Sequence, residues 1–261
     1  MNVNYTPTLF DDIDHFRELI AQLGWEAEST QISRGPNRIR FDQCAFPELF
    51  VAHHHVKQVM HDVFDVPPGH TVLAICRAKL PVICCGVDLP PNLLAILRPV
   101  RTYQVRLPAN WETYEFTISD ALIERTELFP PKFFAKTVRL EQALLPLVEP
   151  QTGRFLKRMD SWFHVLRNGN GVIESADSKA EVYDSILQGL QRLIYAGLAA
   201  GPGEPPRYTR RADLVEKARD YMIPNLNLTL TADEIARSLG VSLRVLNYAF
   251  QSNVGISVYQ Y

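Results

Sequence analysis

The sequence lacks the features that mark membrane, secreted and zinc-cluster proteins. No run approaches the roughly 18 apolar residues that cross a bilayer, and the first residues contain neither the basic nor the apolar stretch of a secretory signal. The four cysteines, Cys44, Cys76, Cys84 and Cys85, match no zinc-binding spacing, and the last three lie in apolar runs. These absences predict a cytoplasmic protein with buried, reduced thiols and no membrane partner.

The chain also lacks a strong charge of either sign. Its 27 Lys and Arg against 29 Asp and Glu give a formal net charge of -2, which argues against a protein that coats nucleic acid or membrane by bulk charge. From Arg207 onward, seven basic residues oppose five acidic ones, whereas the upstream part carries 20 against 24. The weak positive excess of the last segment has the sign that DNA binding requires.

The pattern of apolar residues predicts an α+β chain of two domains. Between residues 38 and 120, short runs rich in Val, Ile, Tyr and Phe alternate with Pro, Gly and Asn, which is typical of a β sandwich or small barrel. Helical periodicity occurs before and after this region. We therefore predict a β-rich first domain with flanking helices over residues 1–200. A Pro/Gly linker over 201–209 and an all-α segment over 210–261 would follow it.

One helix of the first domain has an apolar face with two interpretations. In "SKAEVYDSILQGLQRLIYAGL" the face repeats with 4-4-3-4 spacing, widened by Ile194, at Val182, Ile186, Leu190, Leu193 and Gly197. Such a face packs either on the sheet of its own chain or against the same helix of a second copy. Val182, Ile186, Leu190 and Leu193 are our candidate dimerisation residues.

The segment "TADEIARSLGVSLRVLNYAF", residues 231–250, predicts two short helices joined by a tight corner. Thr231 and Glu234 have the spacing of a capping box. Gly240 follows the first helix where a left-handed residue makes a sharp corner, and Ser242 is a good N-cap for the second helix. This arrangement favours a helix-turn-helix over an arbitrary helical hairpin.

The second helix has two distinct faces. We predict an inward face that consists of Val245, Leu246, Ala249 and Phe250. The opposite face has hydrogen-bonding groups and no acid, at Arg244, Asn247, Tyr248 and Gln251. Arginine pairs with guanine, and asparagine or glutamine with adenine, in the major groove of double-stranded DNA, and a cap at Ser242 suits a backbone phosphate. Ser242, Arg244, Asn247, Tyr248 and Gln251 are therefore the candidate DNA-binding residues.

The segment resembles the AraC/XylS family of bacterial transcription regulators. The matching pattern is "LTADEIARSLGVSLRVLNYAFQSNVGISVYQY", which continues through Gly255, Ile256 and Ser257 beyond the two helices. The resemblance implies a transcription regulator, not an enzyme. By the same resemblance, residues 1–200 would be a cupin-like sensor and dimerisation domain that binds a small-molecule effector, and residues 210–261 a DNA-binding segment. The protein would form a homodimer, and RNA polymerase would be a further partner. It also implies that Arg244, Asn247 and Tyr248 are base-contacting residues, with Tyr248 where relatives often have arginine.

The family's DNA-binding unit has two helix-turn-helix motifs joined by a long helix, whereas this sequence ends where the connecting helix would begin. We therefore expect a chain truncated after the first motif. One interpretation is a regulator that works with one motif per subunit. The alternative is a dimerising fragment without DNA-reading ability.

A histidine-rich strand supports an alternative from another class of protein. In "VAHHHVKQVMHDVF", His53 and His55 would share one face of a strand and could join a carboxylate around a metal, as in cupin-like metalloenzymes. No acid lies at a tight spacing, since Glu48 and Asp62 are the nearest. A polar sheet face without metal is the competing interpretation, and we expect no metal, no cofactor and no catalysis.

Overall fold

The computed structural model describes residues 4–77, 79–89, 91–100, 102–131, 133–134, 142–168, 176–201, 210–225, 227 and 229–261. The described strands are β1 (Asn4–Phe10), β2 (Ala27–Gln31), β3 (Ile39–Phe46), β4 (Leu49–Val56), β5 (Met60–Asp65), β6 (His70–Arg77), β7 (Val82–Cys84), β8 (Val87–Leu89), β9 (Leu93–Leu97), β10 (Thr102–Leu107), β11 (Trp111–Ser119) and β12 (Gln142–Pro146). The described helices are α1 (Ile13–Gln22), α2 (Asp120–Thr126), α3 (Gln151–Asn168), α4 (Ala176–Ala200), α5 (Arg210–Met222), α6 (Ala232–Ser238) and α7 (Leu243–Asn253). The predicted α+β class with a β-rich first part is confirmed.

The strands form two antiparallel sheets that pack face to face. The large sheet has the order β1-β3-β4-β11-β6-β9-β12 and the small sheet the order β2-β5-β10-β7-β8. Because successive side chains of a strand point to opposite faces, each sheet contributes every second residue to the space between them. Phe41 and Val72 from the large sheet join Met60 and Val105 from the small sheet in one apolar cluster there.

Helices α3 and α4 cover the outer face of the large sheet. Phe163 of α3 and Leu190 of α4 are fully buried there, in one cluster with Phe116 and Ile118 of β11. Gly189 allows α4 to approach α3 closely, because a Cβ at this position would lie 2.4 Å from the ring of Phe155. The first domain therefore has three layers, namely the small sheet, the large sheet and a helical layer.

The predicted dimerisation face of α4 needs correction. Ile186, Leu190 and Leu193 are at most 3% exposed and belong to the core of their own chain, while Val182 packs against the same core. The face therefore stabilises the contact between α4 and the large sheet, as in the first of the two interpretations. The periodicity was correctly recognised, but it marks an intramolecular contact rather than a subunit seam.

Helices α5, α6 and α7 have an apolar core of their own. Val215, Ala218, Ile235, Leu246 and Phe250 are buried in it. The predicted linker over 201–209 lies outside the described residues except for Gly201. Among the helices of the described ranges, none is long and apolar enough to cross a membrane.

We expect Leu190→Ala to lower the free energy of unfolding by about 2–5 kcal/mol, because the change removes buried methyl groups and leaves a cavity. Gln188→Ala, on the exposed face of the same helix, is the control and should change stability by less than about 0.5 kcal/mol. Denaturant titration measures both, with light scattering to follow the mass. If Leu190→Ala left the stability unchanged and halved the measured mass, the face of α4 would be a contact between subunits after all.

Candidate effector cavity and nucleic-acid interface

A large cavity lies between the two sheets. It encloses about 1410 Å³ of empty space, counting the part that is open to solvent. Helix α1 contributes Phe16 and Ile20 to its wall, and Leu80, which is 61% exposed, lines it where it reaches the surface. Most lining side chains are apolar, which is typical of a site that binds a small organic molecule.

A few polar side chains interrupt this apolar wall. Glu115 of β11 and His54 of β4 line the cavity from the large sheet, and Asp62 of β5 and Ser29 of β2 line it from the small sheet. The Nε2 atom of His54 lies 3.7 Å from a carboxyl oxygen of Glu115, which is longer than a hydrogen bond. The cavity thus has carboxyl groups on both of its walls.

The cavity shifts the pKa values of these groups in the direction that burial requires. Burial raises the pKa of Asp62 to about 6, against a hydrogen bond from Ser29 and the charge of Arg17. Burial also raises the pKa of Glu115 to about 7, and repulsion from Asp62 adds to the shift. Burial lowers the pKa of His54 to about 3, so its ring is neutral at physiological pH. Both carboxyl groups therefore titrate close to neutral pH.

His53 and His55 lie on the opposite, outer face of the large sheet. His53 is buried beneath α3, where its ring stacks on Tyr114 and its Nε2 atom lies 2.6 Å from the carboxylate of Glu112. Burial opposes a charge on His53, but Asp42 and Glu112 outweigh it and raise the pKa of the ring. Both side chains therefore lie on one face of β4, as the alternation of a strand predicts.

The metalloenzyme alternative is not supported by this arrangement. The rings of His53 and His55 do not line the cavity. In the described ranges, no group of three or more His, Cys, Asp or Glu has a geometry that could hold a metal ion. His53 instead links two carboxylates of the large sheet, and Arg167 of α3 lies 3.4 Å from one of them, Asp42. His53, whose ring contacts Phe163, is thus part of the contact between the large sheet and α3.

Helices α6 and α7 have the local geometry that the sequence predicts for a helix-turn-helix. Thr231 and Glu234 form both hydrogen bonds of a capping box. Gly240 adopts φ +66° at the corner, a left-handed conformation that glycine accepts without strain. The Ser242 hydroxyl accepts a hydrogen bond from the amide of Val245 and begins α7. Each of these three local predictions is confirmed.

The exposed face of α7 differs in two details from the prediction. Val245 was predicted to face inward, but it is 49% exposed and lies on the same surface as Arg244 and Tyr248. Asn247 is half-buried, and its Oδ1 atom accepts a hydrogen bond from the amide of Val258 at 3.2 Å. This bond connects α7 to the turn that follows it, and so gives Asn247 a structural role.

The other candidate DNA-binding side chains are accessible. Ser242, Arg244 and Gln251 are exposed, and Tyr248 is 57% exposed. The guanidinium of Arg211, at the start of α5, lies 4.4 Å above the ring of Tyr248. Arg211 therefore extends the basic surface of α7, a contribution that the sequence pattern did not reveal because α5 is separated from α7 by 20 residues of chain.

The helix-turn-helix segment docks on the outer face of the small sheet. Arg219 of α5 is 6% exposed, donates to the carboxylate of Glu28 on β2, and donates to the Tyr261 hydroxyl at 2.8 Å. The ring of Tyr261 lies edge-on to His61 of β5. Gly255, with φ +86°, packs so closely on Arg106 of β10 that a Cβ would lie 2.6 Å from its guanidinium carbon.

Comparison with known proteins shows the fold. No protein-family model matches the sequence, and neither does any curated protein. The crystal structure of the AraC-like transcriptional activator CuxR is 13% identical and matches with a TM-score of 0.53 over 95% of this chain and 88% of that chain. The chain has the fold of an AraC-like activator. The structure of fatty-acid-bound ToxT from Vibrio cholerae, 9% identical, covers 81% of this chain and 76% of its own with a TM-score of 0.36.

We expect Glu115→Gln to stabilise the protein at high pH. A folded-state pKa of about 7, above the ordinary 4.5, means that the carboxyl group favours folding while it is protonated and loses this contribution as the pH rises towards 7. The amide cannot ionise, so the variant should gain about 1–3 kcal/mol over the wild type between about pH 4 and pH 8. Denaturant titration across this range measures the difference.

The exposed Glu124 of α2 provides the control, because Glu124→Gln should leave the pH dependence of stability close to that of the wild type. If the free energy of unfolding of Glu115→Gln and of the wild type changed with pH in the same way, the pKa of Glu115 would not be raised by burial.

Proposed function

We propose that this protein is a sequence-specific DNA-binding transcription regulator that is controlled by a small molecule in the cavity between its sheets. The exposed face of α7 is the observation that carries the proposal. Arg244, Tyr248 and Gln251 project from a helix whose other face is locked in a core by Leu246 and Phe250. A short, rigid helix with such a face fits the major groove of DNA.

The proposed effector-binding and DNA-binding functions belong to different predicted domains. Residues 1–200 would bind the effector, residues 201–209 would act as the linker, and residues 210–261 would bind DNA. The separate apolar cores of the sandwich and of the last segment support this division. A homodimer and a contact with RNA polymerase belong to the same proposal, and pairing of two copies would use a surface other than the buried face of α4.

The small sheet would carry the signal between the two functions. On β2, Ser29 lines the cavity while Glu28 binds Arg219; on β5, Asp62 lines the cavity while His61 contacts Tyr261. A molecule that shifts these strands from the cavity side therefore changes the docking surface on the other side. The docked segment, and with it the orientation of α7, would respond to the effector without any direct contact.

We expect Arg244→Ala to lower the affinity for the preferred duplex by about 1–3 kcal/mol, because a bidentate contact to a base is lost. The preferred duplex is first selected from a random pool with the wild-type chain at two salt concentrations. Fluorescence anisotropy then measures the binding of each variant to it. Arg192→Ala, at an exposed position of α4, is the control and should bind like the wild type.

The random-pool experiment decides between the interpretations of the helix-turn-helix. An enriched sequence that Arg244→Ala no longer prefers supports base reading by α7. An equal loss of affinity on every duplex would assign Arg244 to phosphate, and no enrichment at all would contradict the proposal that this chain reads DNA.

We expect Glu28→Gln to loosen the docked segment. Arg219 would lose its ionised partner but keep the Tyr261 hydroxyl, and Glu28 is itself largely exposed. The free energy of local opening of the segment should therefore fall by about 1 kcal/mol. Amide exchange in α5, measured by mass spectrometry, should then be roughly fivefold faster. Glu26→Gln, at an exposed position beside β2, is the matched control. Equal exchange in both variants would show that the Glu28–Arg219 pair does not hold the segment.

A further inference from the structure

The wall that the large sheet gives to the cavity carries a carboxyl group, that of Glu115. In the register of the large sheet, Glu115 is flanked by Ala52 of β4 and Ala74 of β6, and Ala74 in turn pairs with Ala95 of β9. All four residues line the cavity. A row of three alanines beside one acid leaves room above the sheet for a bound molecule, with the carboxyl group exposed to it.

Asp62 supplies a second carboxyl group from the opposite wall. It lies on β5 of the small sheet and is close enough to Glu115 for their charges to interact. One carboxyl oxygen of Asp62, Oδ1, is buried and has no hydrogen-bond partner in the described structure. Two acids thus approach the same space from two sheets, and neither is neutralised by a side chain of the other wall.

Basic side chains are missing from the described part of the wall, where no lining residue is Lys or Arg. The charge of Arg17 on α1 acts on Asp62, but its guanidinium donates to the carbonyl oxygen of Ser29 and pairs with Asp14 at 2.7 Å. A carboxylate or phosphate ligand would therefore face two acids with no basic partner, and burial of such a charge is costly.

Two further polar atoms indicate that the site accommodates a ligand. His54 and Trp111 line the cavity and are 8% and 5% exposed, respectively. The Nε2 atom of His54 and the Nε1 atom of Trp111 are buried without a hydrogen-bond partner in the described ranges. Buried polar groups are normally paired, and both side chains belong to the wall of the cavity that carries Glu115.

We propose that the cavity binds an apolar molecule with a basic nitrogen, whose cationic group lies between Glu115 and Asp62. This inference rests on the proposed effector function and specifies the chemical class of the effector. The ammonium or amidinium group would donate hydrogen bonds to the two carboxylates, which are strong when both partners are charged. The apolar body would lie over the alanine row, against side chains such as Phe41 and Val105.

Three probes of equal chain length test the charge of the ligand: decylamine, decanol and decanoate. Trp25 and Trp111 line the cavity, so intrinsic fluorescence of the full chain reports binding, and calorimetry gives the affinity. We expect decylamine to bind at least about tenfold more tightly than decanol, and decanoate to bind most weakly. The double variant Asp62→Asn/Glu115→Gln should lose the preference for the amine while it still binds decanol.

A second variant locates the binding. Ala74→Met fills the space beside Glu115 and should weaken all three probes if they occupy the cavity. Tighter binding of decanoate, equal binding of the three probes, or an amine preference that survives in the double variant would overturn the inference. An absence of binding by all three probes would overturn it as well.

The pH dependence provides an independent test of the ligand charge. The other titratable groups that line the cavity in the described structure are His54 of β4, Cys76 of β6 and Cys84 of β7, and the charge of Arg17 on α1 acts on Asp62. The His54 ring and the Cys76 thiol stay neutral near physiological pH, because burial lowers the pKa of His54 and raises that of Cys76. The affinity for decylamine should therefore rise between about pH 5 and pH 8 as the two acids ionise, whereas that for decanol should change little. A fall in amine affinity over this range would contradict the proposed contact.

The tests of the ligand class and of DNA binding can fail independently of each other. If decanoate or decanol binds best and changes the affinity for the selected duplex, the ligand class is wrong but the regulator function stands. If the amine binds as expected and no duplex is ever selected, the cavity site stands and the DNA-binding function fails.

Discussion

Side chains alternate between the two faces of the small sheet, and this alternation connects the cavity on one face to the docked helices on the other. A single layer of strands forms one wall of the cavity and, on its other face, the docking surface for the helix-turn-helix. Neighbouring residues of one strand, such as His61 and Asp62, therefore belong to different functional surfaces only one peptide unit apart. Any molecule that packs against the inner face of this sheet acts on the layer that holds Arg219 and Tyr261.

The buried acids place a second constraint on the molecule. Asp62 and Glu115 line the same apolar space from opposite sheets, and burial raises the pKa of each carboxyl group. Ionisation of either acid without a ligand therefore opposes folding. Residues that are arranged for binding are often locally unfavourable for folding. The opposite face of the large sheet differs in this respect, because its acids have partners of opposite charge. Arg167 and Arg40 lie 3.4 and 3.6 Å from Asp42, and His53 lies 2.6 Å from Glu112.

Sequence signals that act within a few residues predicted the helix-turn-helix well. Patterns that depend on contacts between distant parts of the chain left alternatives open. The capping box at Thr231 and the corner at Gly240 act within a few residues, so their spacing is sufficient to predict them. Strand alternation correctly placed His53 and His55 on one face, but it does not say which face of a sheet becomes the interior. Helical periodicity likewise identified the apolar face that contains Leu190, but it does not say which surface that face packs against. The pairing of Asp62 with Glu115 depends on the packing of two sheets, which no local pattern encodes.

The alanine row beside Glu115 has a consequence for how such a protein can change over time. Ala52, Ala74 and Ala95 contribute no chemistry of their own, yet their small size sets how far a bound molecule extends along the large sheet. Replacement of one alanine by valine or leucine would shorten the accepted molecule and leave the acids, the docking surface and α7 as they are. Selectivity for a bound molecule can therefore diverge through changes of two or three carbon atoms, while the exposed face of α7 stays the same.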